Sequence, residues 1–192
     1  MKIDITHDLP RLSRTIADRA DRLSDPSKRR RLFARAAASC ANLVRRHILR
    51  IAPARHTTAD SLGAQPTEFL GKAARRTYHE ATSDAAVVVI SSPGFSRAFH
   101  DVVIRPRGKS FLTIPKAAES YGHTAREMRS TFGWKLFRPG EKKILIGVKD
   151  GRRLPLFSLA ESAKQAQDRT LLPSDAELES AAAHAIVEGL AR

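Results

Sequence analysis

A chain of 192 residues, 42% hydrophobic and 28% charged, is long enough to bury a core and too apolar to be disordered throughout. Lys and Arg number 34 against 20 Asp and Glu, and the net charge of +14 attracts acidic partners and nucleic acid while repelling copies of the same chain. The single cysteine, Cys40, excludes an internal disulfide, and no apolar run is long enough for a membrane-spanning helix.

The opening Met1-Lys2-Ile3-Asp4 has no secretory character, so assembly in a reducing cytoplasm and a soluble product are expected, with no membrane partner. One domain is the default for this length. The basic excess is local: residues 1–50 carry 13 basic against 5 acidic side chains and residues 101–150 carry 11 against 5, while the other two segments are near balance.

Residues 1–52 read as helical. Leu12, Ile16, Ala20 and Leu23 recur at spacings of three and four, which predicts a short docking helix. Ser24 or Asp25 then offers a cap and Pro26 suits the first helical position. Leu32, Phe33, Ala36, Ala37, Cys40, Leu43, Val44, His47, Ile48 and Ile51 form one apolar stripe, stopped by Pro53. A helix over 27–51 is about 37 Å long at 1.5 Å per residue and would be the spine of the fold. Residues 53–84, broken by Pro53, Gly63, Pro66 and Gly71, read as a linker or arm, with a short helix within 67–77.

An antiparallel sheet is expected over 85–160. Its strands are 85–90, bounded by Ser91-Ser92-Pro93-Gly94, then 101–105 and 110–114, joined by Pro106-Arg107-Gly108-Lys109 as a hairpin with a basic tip. Residues 115–128 are a short helix or irregular connection, and Phe132, Trp134 and Phe137 are the densest aromatic cluster, expected in the core. Strands over 143–149 and 154–159 flank the hairpin signal Asp150-Gly151. Ser174 with Glu177 three residues on is a capping box, opening a C-terminal helix over 173–191. The fold class is therefore α+β: a long N-terminal helix, a small antiparallel sheet with hairpins, and a C-terminal helix.

Candidate chemistry is sparse. The seven histidines, among them His7, His47 and His184, show no ligand spacing, so no metal or other cofactor is expected; His47 sits on the helical stripe and reads as a packing residue. His79-Glu80 and His100-Asp101 place neighbouring side chains on opposite strand faces, which separates each pair. Glu141 and Lys143 form half of a nuclease-type Glu-x-Lys pair with Asp101 as the upstream acid, a metal-dependent nuclease being the enzyme alternative. Gly140-Glu141 reads better as a turn, and hydrolase elbows, phosphate loops and dinucleotide fingerprints are absent, so no enzyme is expected.

Two basic clusters are the candidate contacts. Lys28, Arg29, Arg30 and Arg31 crowd cations into a first helical turn, where the macrodipole favours acids by about 0.3–1 kcal/mol each. They are either a solvated face neutralised by Asp21 and Asp25 or a contact with DNA or an acidic neighbouring subunit. Arg105, Arg107 and Lys109 sit at the expected hairpin tip, where solvation and contact with such a partner are again the two readings. A stand-alone basic DNA-binding protein using both clusters is the alternative to an assembly subunit.

The order Ser61-Leu62-Gly63-Ala64-Gln65-Pro66-Thr67-Glu68-Phe69, Lys72-Ala73-Ala74-Arg75, Ile104-Arg105-Pro106-Arg107, Leu112-Thr113-Ile114-Pro115 and Leu171-Leu172-Pro173-Ser174 resembles a virion-morphogenesis family of tailed bacteriophages, over residues 27–190. In that family a long helix, a Leu-Gly linker, a small antiparallel sheet, an Ile-x-Pro-basic stretch and Leu-Thr-Ile-Pro follow in this order. Where many relatives have a glycine pair before the Ile-x-Pro stretch, this chain has Asp101-Val102-Val103. The resemblance implies a tail-completion, tail-terminator or neck (head–tail connector) subunit, located in the virion neck or tail and assembled in the host cytoplasm. It implies a homo-oligomeric ring, a hexamer, that touches portal, adaptor, stopper or tail tube proteins, with genomic DNA in the lumen. No catalytic residues come with it.

Overall fold

The computed structural model describes residues 23–191. The predicted helix at Leu12, Ile16 and Ala20 lies outside the described residues. The fold is α+β, with a long N-terminal helix, small antiparallel sheets and a C-terminal helix. The chain divides into two compact units interleaved in sequence: one comprises the described residues up to Ile48, with Ala73–Ser91 and the chain from Leu172 onward, and the other Leu49–Lys72 with Ser92–Leu171.

The first unit is built on helix α1 (Pro26–Ile51), taken through Ile48. Asp25 caps it, its Oδ1 accepting from the amides of Ser27 at 2.7 Å and Lys28 at 3.3 Å, and Pro26 costs nothing at a position whose N–H would be orphaned. The buried stripe is Leu32, Ala36, Ala37, Ala41, Val44 and Ile48. Half of it is alanine, so a neighbouring element approaches closely there. The C-terminal helix, whose far end bears Gly189, does so: a Cβ at Gly189 would stand 2.6 Å from Leu32 Cδ2, and Cys40 Sγ donates to the Leu178 carbonyl at 3.5 Å. The two helices therefore run antiparallel. The sequence-predicted capping box opens the second of them, with the Ser174 amide donating to Glu177 Oε2 at 2.8 Å and the Glu177 amide to Ser174 Oγ at 3.3 Å.

The same unit holds a hairpin of β1 (Thr77–Ala81) and β2 (Ala86–Ile90). The polar Tyr78-His79-Glu80 stretch hides β1 from a hydropathy reading, so strand replaces the expected arm there. Two arginines of α1 tie this hairpin down. Arg45 donates from Nε and Nη2 to the Thr77 carbonyl at the base, and Arg29 reaches the Ser83 carbonyl at 3.0 Å and Asp84 Oδ1 at 3.1 Å near the tip.

In the second unit a short 3-10 turn, Ala52–Arg55, leads into α2 (Thr57–Leu62), and α3 (Phe69–Arg75) begins within this unit. The stretch read as a linker or arm thus carries two short helices, and α3 falls within the helix expected over 67–77. The strands are β3 (Val102–Ile104), β4 (Leu112–Pro115), β5 (Lys135–Phe137), β6 (Ile144–Lys149), β7 (Arg152–Ala160) and β8 (Ala163–Gln165), with helix α4 (Ala125–Ser130) between β4 and β5. The expected β3–β4 hairpin does not form. β3 pairs with β8, and β4 takes an edge of the four-stranded sheet β4-β7-β6-β5. Beyond Ile104 the Pro106 ring withholds a ladder donor, and Gly108 at φ 64° turns the chain away. The Asp150-Gly151 hairpin does form, with both residues at positive φ, 49° and 75°, as a type I′ turn requires.

The core of this unit is Met128, Trp134, Leu156 and Phe157, with Leu136, Leu145 and Leu154 against it. Only Trp134 of the expected aromatic trio belongs there. Phe132 is 37% exposed and Phe137, on edge strand β5, is 40% exposed. Alternation along β5 turns Leu136 toward the core and Phe137 outward, and Phe132 precedes the Gly133 bend instead of the strand.

The C-terminal helix α5 (Asp175–Ala191) completes the described chain, and among the described residues no helix is long and apolar enough to cross a membrane.

Candidate functional site

The first cluster is dispersed by the helix that carries it. Successive residues of an α-helix diverge by about 100°, so Lys28, Arg29, Arg30 and Arg31 cannot share a face. Arg29 is committed to Asp84 and Ser83, and Lys28 is half-buried. Arg30 lines a groove of about 480 Å³ with Ala34 one turn on and His79, Glu80, Ala81, Thr82 and Val87 of the hairpin, while Arg31 faces solvent. Asp25 and Asp84 compensate the crowded first turn. The expected second acid, Asp21, lies outside the described residues.

The second cluster is brought together. Arg105 and Arg107 are exposed and line an open groove of about 490 Å³ with Val102, Val103, Ile104 and Pro106. A third guanidinium, Arg97, enters the same groove from the 3-10 turn Phe95–Phe99. Lys109 is exposed just beyond, past the Gly108 bend. Arg97 gave no signal in the sequence, being a lone basic residue eight positions ahead of Arg105, between the Ser91–Gly94 turn and the strand expected from Asp101.

Two satisfied acids, Asp101 and Asp168, lie in the segments adjoining this groove. Asp101 Oδ1 accepts from the Gln167 amide at 2.9 Å, and Gln167 Nε2 donates to the Phe99 carbonyl at 2.7 Å. The Asp168 amide donates to the Ala98 carbonyl at 2.7 Å, and its carboxylate pairs with Arg55 at 3.2 Å and accepts from Thr170 Oγ1 at 2.6 Å. These bonds strap the stretch after β8 onto the stretch before β3. Both carboxylates are thereby occupied, and among the described residues no ion pair engages Arg97, Arg105, Arg107 or Lys109.

The nuclease trio is not assembled. Asp101 belongs to the strap, Arg138 donates to the carbonyls of Glu141 and Lys142 to close a turn, and Lys143 Nζ pairs with Glu161 at 2.7 Å. That pairing holds the Glu161 carboxyl below its ordinary range. Burial raises the Cys40 thiol, which its contact with the Leu178 carbonyl marks as a packing group. No cluster of three or more metal-ligating side chains occurs among the described residues.

A third feature concerns apolar surface. Tyr78 and Val87 lie on one face of the β1–β2 hairpin, diagonal to each other across the register, at 42% and 43% exposure. In the other unit Ile114 on edge strand β4 and Phe137 on edge strand β5 are each 40% exposed, so both edge strands of the four-stranded sheet carry a large, partly exposed apolar side chain. Comparison with protein-family models, curated proteins and solved structures finds no match.

Proposed function

We propose that the chain is a structural virion protein of a tailed bacteriophage, a tail-completion, terminator or neck subunit that forms a ring at the head–tail junction or the top of the tail. In this reading it joins tail to head and lines the route of the genome, with portal, adaptor, stopper or tail tube proteins as neighbours. The order of sequence features over residues 27–190 supports the family. The observation that carries the assembly is the exposure of Ile114 and Phe137 on the two edge strands of one sheet among the described residues.

Free edges are normally blunted with charge or covered, because their unpaired amides and carbonyls recruit another chain. Here two different edges carry apolar side chains. A pair of unlike surfaces suits a head-to-tail contact, which closes into a ring when the rotation between copies is right. A net charge of +14 opposes association of like chains, so the acidic neighbours of a neck or tail top, or the genome, supply the compensation.

Immunogold electron microscopy of the intact virion tests the location. Antibody against the chain marks the head–tail vertex in this account. Label on the capsid shell or on tail fibres, or none on particles, contradicts it.

A further inference from the structure

We infer that the groove lined by Arg97, Arg105 and Arg107 is a docking surface for the phosphodiester backbone of duplex DNA. The inference goes beyond the ring assignment and holds whether or not the chain oligomerises. It rests on three local observations.

First, the three cations are arginines, whose planar guanidinium forks grip phosphate oxygens in pairs, and no carboxylate of the described chain competes for them. Asp101 and Asp168 are turned to the Gln167 amide and to Arg55. Second, Arg105 and Arg107 stand in a segment of basic excess, with 11 basic against 5 acidic side chains over residues 101–150, and such a local positive field suits a polyanion. Third, Val102, Val103, Ile104 and Pro106 give the groove an apolar wall against which deoxyribose packs, and the groove is open, which suits a continuous backbone better than a small molecule.

DNA backbone contacts of this kind carry no sequence preference and release counterions, so the affinity falls steeply with salt. The test is fluorescence anisotropy of the full chain with a labelled duplex of about 20 base pairs, titrated at several salt concentrations between about 50 and 200 mM. The triple variant Arg97→Ala/Arg105→Ala/Arg107→Ala is expected to bind on the order of tenfold to a hundredfold more weakly, and its log–log salt slope is expected to fall by about 3. The double variant Arg126→Ala/Arg129→Ala, which removes exposed charge from α4, is expected to stay within about twofold of the unmodified chain.

Equal losses in the two variants would show that net charge alone drives binding and would overturn the site. An unchanged triple variant would overturn it too. So would tighter binding of a polyglutamate peptide than of the duplex at matched charge, which would assign the groove to an acidic protein. A parallel mass measurement on each variant keeps this outcome separate from the ring question.

Discussion

Arg29 and Arg45 lie on α1 sixteen positions apart and hold opposite ends of one hairpin, Arg45 at the Thr77 carbonyl and Arg29 at Ser83 and Asp84. Their role was not legible in the sequence, where Arg29 looks like one of four equivalent cations and Arg45 like a surface residue. Nothing in local spacing reveals a partner more than thirty or fifty positions away. The Asp25 cap and the Ser174–Glu177 box were legible, because both partners lie within one helical turn. Replacing Arg45 with Met removes a charged donor from the Thr77 carbonyl and is expected to lower the unfolding free energy by about 1–2 kcal/mol in urea titrations. Arg31→Met, at an exposed position, is expected to fall within about 0.5 kcal/mol of the unmodified chain.

Glu127 makes stability depend on pH. It closes the Thr124 capping box of α4, its Oε2 accepting from the Thr124 amide at 2.7 Å, and these hydrogen bonds hold its carboxyl below the ordinary carboxylate range. A depressed folded value means the stabilisation is fully present above the unfolded pKa and is lost as pH falls through the folded one. Glu161 acts in the same direction through Lys143. Thermal melts are therefore expected to weaken on acidification below about pH 4.3, and less so for Glu127→Gln/Glu161→Gln, which no longer titrates at either position.

Among the elements, the long helices α1 and α5 and the β6–β7 hairpin were legible because period and turn chemistry agree with the final pairing. The strand partners were not. Val102–Ile104 joins Ala163–Gln165, a three-residue strand of mixed polarity that no alternation marks, and Thr77–Ala81 is mostly exposed. The β3 groove was half legible for the same reason: Arg105 and Arg107 stand together in sequence, while Arg97 arrives only through the Asp101–Gln167 and Ala98–Asp168 bonds. Close approach was equally hidden. A Cβ on Gly147 of β6 would collide with Leu156 Cδ1 and lie 2.8 Å from Trp134 Cε3, so the glycine lets the indole rest on the sheet. Gly147→Ala is expected to cost about 1–3 kcal/mol by overpacking, with a shift in Trp134 fluorescence as the readout. A melt unchanged by that substitution would mean that Trp134 does not pack there.

Across the whole molecule, composition foretold a basic, folded chain and residue patterning its α+β class, and the described residues add the distribution of charge and apolar surface. Of the two basic runs, the one in α1 is partly consumed inside its own unit, and the one after β3 is left facing outward. The exposed Ile114 and Phe137 are the surfaces on which a ring would depend. Neither edge was identifiable in advance, since a strand's place in a sheet follows from long-range pairing and not from its own residues.

The ring is tested by mass photometry of the purified chain, compared with the Ile114→Lys/Phe137→Lys variant, over rising protein concentration. A discrete multi-subunit species, six-fold for the proposed ring, is expected, and the variant is expected to shift it to the monomer while its circular dichroism is unchanged. A chain that stays monomeric at every concentration, both alone and with an acidic polyanion present to offset its charge, would contradict the ring.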